Sequence, residues 1–383
     1  MSSRNTRSDY PQDTIHADSA DIAKTRIPTI SVIVPTYNEA ENIVPLVESL
    51  HRVFSGTPYE IIVIDDNSQD GTGALAEKLS HRYPVKLVVR KDKRGLASAV
   101  VDGFEKSSGR ILAVIDADMQ HPPEVLADLH EAINNGADIA IASRYVPGGG
   151  CEGWGLARRL ISKGATFLAH LLLPSTRQVK DPMSGFFMLN KGVIADCDLE
   201  PTGYKILLEI LNLGQYQKVT EVPYTFRNRQ HGRSKLSARQ QVDYLGHVFS
   251  LMRRSGELLR FFKFCLVGLS GVGVNTGILW ALTERLGLFY LASSSVAIET
   301  SIISNYLLNN AFTFRDRRSK SKRVFFRRFF KFNLISAAGI AINLGILYLF
   351  TSVFGLYYLL SNLIGIAVAT IWNYLVNSWW TWQ

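Results

Sequence analysis

The segment ILAVIDADMQHPP, residues 111–123, ends an apolar run in two carboxylates two positions apart, Asp116 and Asp118. Charge at the end of a buried strand is costly unless donors or a cation compensate it. In an extended segment residues i and i+2 point the same way, so Asp116, Asp118 and Gln120 can converge on one point. Oxygen ligands of this kind suit Mg²⁺ or Mn²⁺, which takes one or two carboxylates and completes its shell with substrate phosphates. The spacing therefore predicts a site for a metal diphosphate. His121 nearby could also be a ligand, but standing before two prolines it reads rather as a turn residue.

Other polar clusters end other apolar runs: PTYNE at 35–39, DDNSQDGT at 65–72 and SRY at 143–145. The runs TISVIVP, YEIIVID, VKLVVR, ILAVID and DIAIAS are rich in β-branched residues and alternate with amphipathic stretches. This predicts an α/β domain with a mostly parallel, Rossmann-like sheet covered by helices on both faces. In such sheets ligands bind beyond the carboxyl ends of the strands, where these clusters fall. Acceptor side chains such as Asn38 and Asp66 could face a ligand there, or could instead only cap the helices that follow.

The chain has 383 residues, 47% of them hydrophobic, with a formal net charge of +9. The apolar excess lies after Arg260, in uncharged runs such as FCLVGLSGVGVNTGILWALT. A run of about 20 such residues crosses a bilayer core of about 30 Å. Spans are expected at about 262–283, 290–312, 330–352 and 356–378. The connector RDRRSKSKRVFFRRFFK carries nine Lys/Arg and one acid, whereas the short turns ERLGLFY and SVFGLYY carry almost no positive charge. By the positive-inside rule the connector is cytoplasmic, which makes this a multi-pass protein whose soluble part faces the cytoplasm, and the charge needs no nucleic acid to explain it. Residues 1–28 are polar, lack a signal-peptide run and read as a disordered tail. The scattered Cys151, Cys197 and Cys265 suggest neither disulfide nor zinc.

The membrane third repeats itself: RFFKFCLVGLSGVGVNTGILWALTERLGLFYL from Arg260 aligns without gaps to RFFKFNLISAAGIAINLGILYLFTSVFGLYYL from Arg328. Two helical hairpins built from one pattern follow, each beginning and ending on the same side. Such parallel repeats do not match the inverted design of many transporters. GWGLARRLISKGATFLAHLLL (153–173) and KLSARQQVDYLGHVFSLMRRSGELL (235–259) mix a basic face with an apolar one, which suits helices in the membrane interface or amphipathic helices packed on the sheet.

Several segments carry a family resemblance. SVIVPTYNEAENI, IIVIDDNSQDGT, RGLASAVVDGFEKSSGRILAVIDADMQHPPE and ASRYVPGG, in this order, resemble the family 2 inverting glycosyltransferases with a GT-A fold. GWGLARRLISKGATFLA, DPMSGFFML and EVPYTFRNRQHGRSKL resemble dolichyl- or polyprenyl-phosphate mannose synthases, and the last third resembles the GtrA-like four-helix domain. The resemblance implies a GT-A domain at 29–234, an interface helix at 235–259 and a transmembrane domain at 260–383. It places the nucleoside of GDP-mannose on Pro35, Tyr37, Glu39 and Asp66, with Asp116 and Ala117 also in the donor site. It places the metal on Asp118 and Gln120 with Asp116 close by, and folds Arg229 and Lys235 over the diphosphate. It assigns the phosphate of dolichyl or undecaprenyl phosphate to Arg144, Arg158 and Ser162.

A lipid monophosphate with a second pKa near about 6 is mostly ionised at neutral pH, so no strong general base is needed. The implied reaction is one in-line displacement at the anomeric carbon, with the Arg forks holding the second phosphate beside the first. Other readings are a UDP-glucose-dependent glucosyltransferase, a glycolipid transporter with a loading domain, for which Glu299 and the paired asparagines speak, or an inactive scaffold. A scaffold would be expected to have lost the Asp-x-Asp pair or Arg144, and both are present.

Overall fold

The five apolar runs form strands: β1 Ile30–Thr36, β2 Tyr59–Asp65, β3 Val85–Val89, β4 Ile111–Val114 and β5 Ile139–Ser143. Helices α1 Ala40–Val53, α2 Thr72–Ser80, α3 Leu96–Lys106 and α4 Val125–Asn134 connect them. The computed structural model describes residues 28–92, 95–200, 205–228 and 238–382. The expected tail up to residue 27, together with Arg229 and Lys235, lies outside the described residues.

Every residue of β1 and β2 is buried, which is why these strands read as near-continuous apolar runs, broken inside by Ser31 and Glu60, rather than as alternation. Helix α3 comes close to β1 through Gly103, where an added Cβ would stand 2.5 Å from Ile33 Cγ2. The short β6 (Gly150–Cys151) and α5 (Leu156–Leu172) follow β5; β7 (Phe187–Asn190), α6 (Ile206–Leu213), β8 (Val219–Pro223) and β9 (Thr225–Phe226) come next. The sheet runs β3-β2-β1-β4-β7-β5-β8, and β6 pairs separately with β9. β7 inserts antiparallel between β4 and β5, and all other pairings are parallel. β7 and β8 are additions to the five expected strands. The order turns back on itself between β1 and β4, and this switch point opens a crevice at the carboxyl ends of the strands.

The chain divides into two compact units, and the division does not follow a single cut near residue 234. The second unit gathers 155–182, 211–213 and the C-terminal part from 237. Its members are tied internally: Tyr244 Oη donates to the Ala165 carbonyl at 2.7 Å, and Ser175 Oγ donates to Asn212 Oδ1 at 2.8 Å. The helices here are α5, α7 (Ala238–Arg254), α8 (Glu257–Trp280), α9 (Tyr290–Leu308), α10 (Lys322–Tyr348) and α11 (Tyr358–Val376). Both amphipathic helices present large apolar residues outward, Leu156, Leu160 and Phe167 on α5 and Val242, Leu245 and Phe249 on α7.

The internal repeat is visible in three dimensions. All four long helices end in a π-helical turn, at Ala281–Arg285, Asn309–Thr313, Leu349–Val353 and Asn377–Thr381. The equivalent residues Phe314 and Trp382 stack on each other, centroids 4.3 Å apart and planes at 7°. Tyr306 donates to the Phe325 carbonyl and its equivalent Tyr374 donates to that of Glu257. Buried Glu257 also pairs with Arg260 and, at 3.1 Å, with Arg317, which joins the start of the first hairpin to the connector.

The segments Glu257–Arg285, Lys322–Val353 and Tyr358–Thr381 are long and apolar enough to cross a membrane. Of the four expected spans, α9 is not among these. It carries Ser293, Ser294, Ser295, Glu299, Thr300, Ser301 and Ser304, which dilute its apolar character.

Candidate active site

Three described non-glycine residues have left-handed backbone: Asn38 at φ 56°, Asn67 at φ 56° and Met119 at φ 57°. Each follows a central strand, β1, β2 or β4, and this conformation costs energy that a purely structural turn could avoid. The turn at Met119 brings Gln120 N within 3.1 Å of Asp118 Oδ1. Asp118 is buried, while Asp116 is half-buried with its Oδ2 3.4 Å from His121 Nε2. Gln120 donates from Nε2 to the Arg227 carbonyl at 3.1 Å, and Arg227 N donates back to the Gln120 carbonyl at 2.9 Å. The loop after strand β4 thus supplies the carboxylates, and the segment after β9 fixes the carboxamide.

His121 stands in a bend and is also a packing residue. It is 4% exposed and packed among the rings of Phe186, Tyr224 and Phe226, with centroids 5.1–5.6 Å away. Two carboxylates and a carboxamide offer oxygens of the kind that suits Mg²⁺ or Mn²⁺ completed by phosphate oxygens. Among the described residues no group of three or more His, Cys, Asp or Glu could hold a metal without such help.

The loops after β1 and β2 are knitted together. Asn38 N donates to Ser68 Oγ at 2.8 Å, Gln69 N donates to Asn38 Oδ1 at 3.0 Å, and Glu39 N donates to Thr72 Oγ1 at 2.9 Å. Pro35 and Ala117 are buried; Tyr37 and Glu39 are half-buried, and Glu39 Oε2 accepts from Asn42 Nδ2 at 2.7 Å. Asp66 is engaged within the protein: Arg90 donates to its Oδ1 through Nε at 2.7 Å and Nη2 at 2.5 Å, and Gly95 N donates to its Oδ2 at 2.9 Å. Arg90, buried and reaching Asp102 at 3.2 Å, is a residue that sequence reasoning missed.

Arg144 follows β5 and is 9% exposed. Its guanidinium lies 5.4 Å from the Trp154 ring centroid, 5.5 Å from Tyr145 and 5.9 Å from Phe226, within cation–π range. Gly149 permits the loop to close behind it, since a Cβ there would stand 2.5 Å from the Ser143 carbonyl oxygen. An aromatic box around a cation sets its direction and shields it from water. Trp154 and Phe226 were also missed, although Trp in GWGLARR and Phe in YTFRN are signals that could have found them. Arg158 and Ser162 share a half-buried face of α5, four residues apart, in the second unit.

The chain matches the model of the glycosyl transferase family 2 over residues 31–197 and that of the GtrA/DPMS transmembrane domain over 263–382. It is 46% identical to a dolichol-phosphate mannosyltransferase of Pyrococcus furiosus over 92% of this chain and 99% of that one. It is 41% identical to a Saccharomyces cerevisiae dolichol-phosphate mannosyltransferase over 58% of this chain and 86% of that protein. A polyprenol monophosphomannose synthase of Mycolicibacterium smegmatis is 38% identical over 54% of this chain and 80% of its own length. With a carboxylate pair at the switch point of a mostly parallel sheet and a near full-length relative, the chain belongs to the family of dolichol-phosphate mannosyltransferases, family 2 glycosyltransferases that here carry a GtrA/DPMS transmembrane domain.

Proposed function

We propose that this membrane glycosyltransferase moves mannose from GDP-mannose to a polyprenyl phosphate of the dolichyl or undecaprenyl type, with inversion at the anomeric carbon. The observation that carries this reading is the presence, at the carboxyl edge of one sheet, of both a carboxylate pair and a boxed arginine. Phosphoryl groups of two substrates repel each other, and a site that joins them needs a separate positive partner for each. Asp116, Asp118 and Gln120 would hold Mg²⁺ or Mn²⁺, which supplies charge neutralisation to the departing diphosphate. Pro35, Tyr37, Glu39 and Ala117 would line the nucleoside, and Asp66 would shape that pocket through Arg90. Arg229 and Lys235 would close over the diphosphate.

Arg144, Arg158 and Ser162 would hold the acceptor phosphate, whose ionised oxygen attacks the sugar directly. The fixed fork of Arg144 orients that oxygen, and its box limits competing water. The outward apolar residues of α5 and α7 fit helices lying in the bilayer interface, where such an acceptor's phosphate resides. The basic connector supports four spans, α9 included, with the catalytic unit on the cytoplasmic side.

The test is transfer by purified full-length protein in detergent, with Mn²⁺ or Mg²⁺, a short polyprenyl phosphate and labelled GDP-mannose or UDP-glucose in parallel. Label entering the lipid phase from GDP-mannose alone is expected. Product from UDP-glucose alone would overturn the donor assignment, and full activity in excess chelator would overturn the metal role.

A further inference from the structure

The two hairpins of the membrane unit flank an open cleft, here called the chamber, of about 380 Å³ whose lining follows the internal repeat. Each residue of the wall has its equivalent, 68 positions away, in the opposite wall: Asn275 faces the chamber with Asn343, Asn305 with Asn373, and Gly271 with Gly339. The chamber therefore lies on the pseudo-twofold axis that relates the hairpins. Gly271 and Gly339 seat the asparagines, since an added Cβ at either would collide with the carboxamide of Asn305 or Asn373.

The polar inventory of this wall is unusual for a membrane interior. The Oδ1 atoms of Asn275, Asn305, Asn343 and Asn373 are all buried and accept no hydrogen bond among the described residues. Each orphaned acceptor is destabilising, and a bilayer supplies no donor to relieve it. Among the described residues no charged side chain lines the chamber, so an ion there would meet no counter-charge. The volume admits on the order of ten waters at about 30 Å³ each.

We propose that this chamber is a hydrated binding site within the membrane unit, occupied by water and selective for uncharged, hydroxyl-bearing ligands. Its carboxamides offer both donors and acceptors, which match hydroxyl groups and give a net charge neither attraction nor shelter. The proposal does not depend on the transfer reaction.

The experiment places a cysteine at Ile302, which lines the chamber, or at Ile303, which is 39% exposed on the same helix and does not line it. Both are made in full-length protein carrying Cys151→Ser, Cys197→Ser and Cys265→Ser, reconstituted in phosphatidylcholine–phosphatidylglycerol vesicles. Thiolates form readily only where water reaches, so Ile302→Cys should react about tenfold faster than Ile303→Cys with 2-hydroxyethyl methanethiosulfonate. The 2-aminoethyl and 2-sulfonatoethyl reagents should lose that advantage. Equal rates at the two positions would show a dry chamber, and charged reagents keeping pace with the neutral one would show that ions are admitted; either overturns the proposal. Hydroxyl-radical footprinting of the unsubstituted protein removes any dependence on the variants. Ile302 and Ile366 should be oxidised faster than Ile303, and the reverse order would overturn it as well.

Discussion

The two compact units differ in how far they meet their buried polar groups. In the α/β unit, buried Glu60 is met by Ser31 at 2.6 Å, by Ser108 N at 2.6 Å and by Lys86 at 2.5 Å. Burial pushes its carboxyl up, but these donors outweigh that and hold it below the ordinary carboxylate range. Asp65 likewise accepts from Thr36 and Ser68, and Asp66 from Arg90. In the membrane unit, asparagine carboxamides of both repeats keep an orphaned oxygen. A water-soluble fold completes most of its buried polar networks from its own groups, because an incomplete one is destabilising. Where a chain leaves the same groups incomplete inside a bilayer, the missing partner is to be sought outside the chain.

The largest expected effect bears on the carboxylates. Asp118→Ala should lower the transfer rate by at least about 10³-fold, the equivalent of several kcal/mol of charge stabilisation, with an unchanged unfolding transition. Loss of that transition together with activity would move Asp118 from chemistry to structure. Next comes the boxed cation. Arg144→Ala should raise the acceptor KM by about 10–100-fold while leaving donor affinity intact, and Arg144→Lys should recover only part of it, because the fork and the ring stacking are lost. Equal losses for both substrates would contradict the assignment.

Smaller effects probe packing and titration. Gly103→Val should destabilise the α/β unit by about 1–3 kcal/mol, read from denaturant midpoints, because it forces α3 away from Ile33. His247 on α7 is buried and held neutral: burial first, and then the Arg254 charge, push its pKa from 6.5 down to about 4. Its contribution is full above about pH 6.5 and is lost as the pH falls toward 4, since the unfolded chain then binds the proton that the folded one refuses. At most about 3 kcal/mol is at stake, and a melting-temperature series in detergent should flatten over this range in His247→Leu. An unchanged slope would place the titrating group elsewhere.

Much of this architecture was legible because burial on both faces leaves a simple mark. β4 is an uninterrupted apolar run, β1 and β2 are such runs broken inside only by Ser31 and Glu60, and the gapless repeat announced two equivalent hairpins. β7 was not legible, since FMLN is four residues long and has no periodicity of its own. β8 was missed because VTEVP mixes polar residues and proline into an outer strand. Asp116 and Asp118 were legible from spacing, whereas the role of Arg144 was suggested only by family resemblance. Its box joins Trp154 and Phe226, residues brought together by the pairing of β6 with β9 rather than by local sequence. The engagement of Asp66 by Arg90 was hidden for the same reason, because parallel pairing of β2 with β3 is what aligns their ends.

The central claim is a division of labour, with the Asp116–Asp118 edge serving the donor diphosphate and Arg144 serving the acceptor phosphate. Calorimetric binding of GDP in the presence of Mn²⁺ to the full-length protein tests it most directly. Binding that is retained in Arg144→Ala and lost in Asp118→Ala, both still folded, is the predicted result. Binding lost in Arg144→Ala and retained in Asp118→Ala would contradict it.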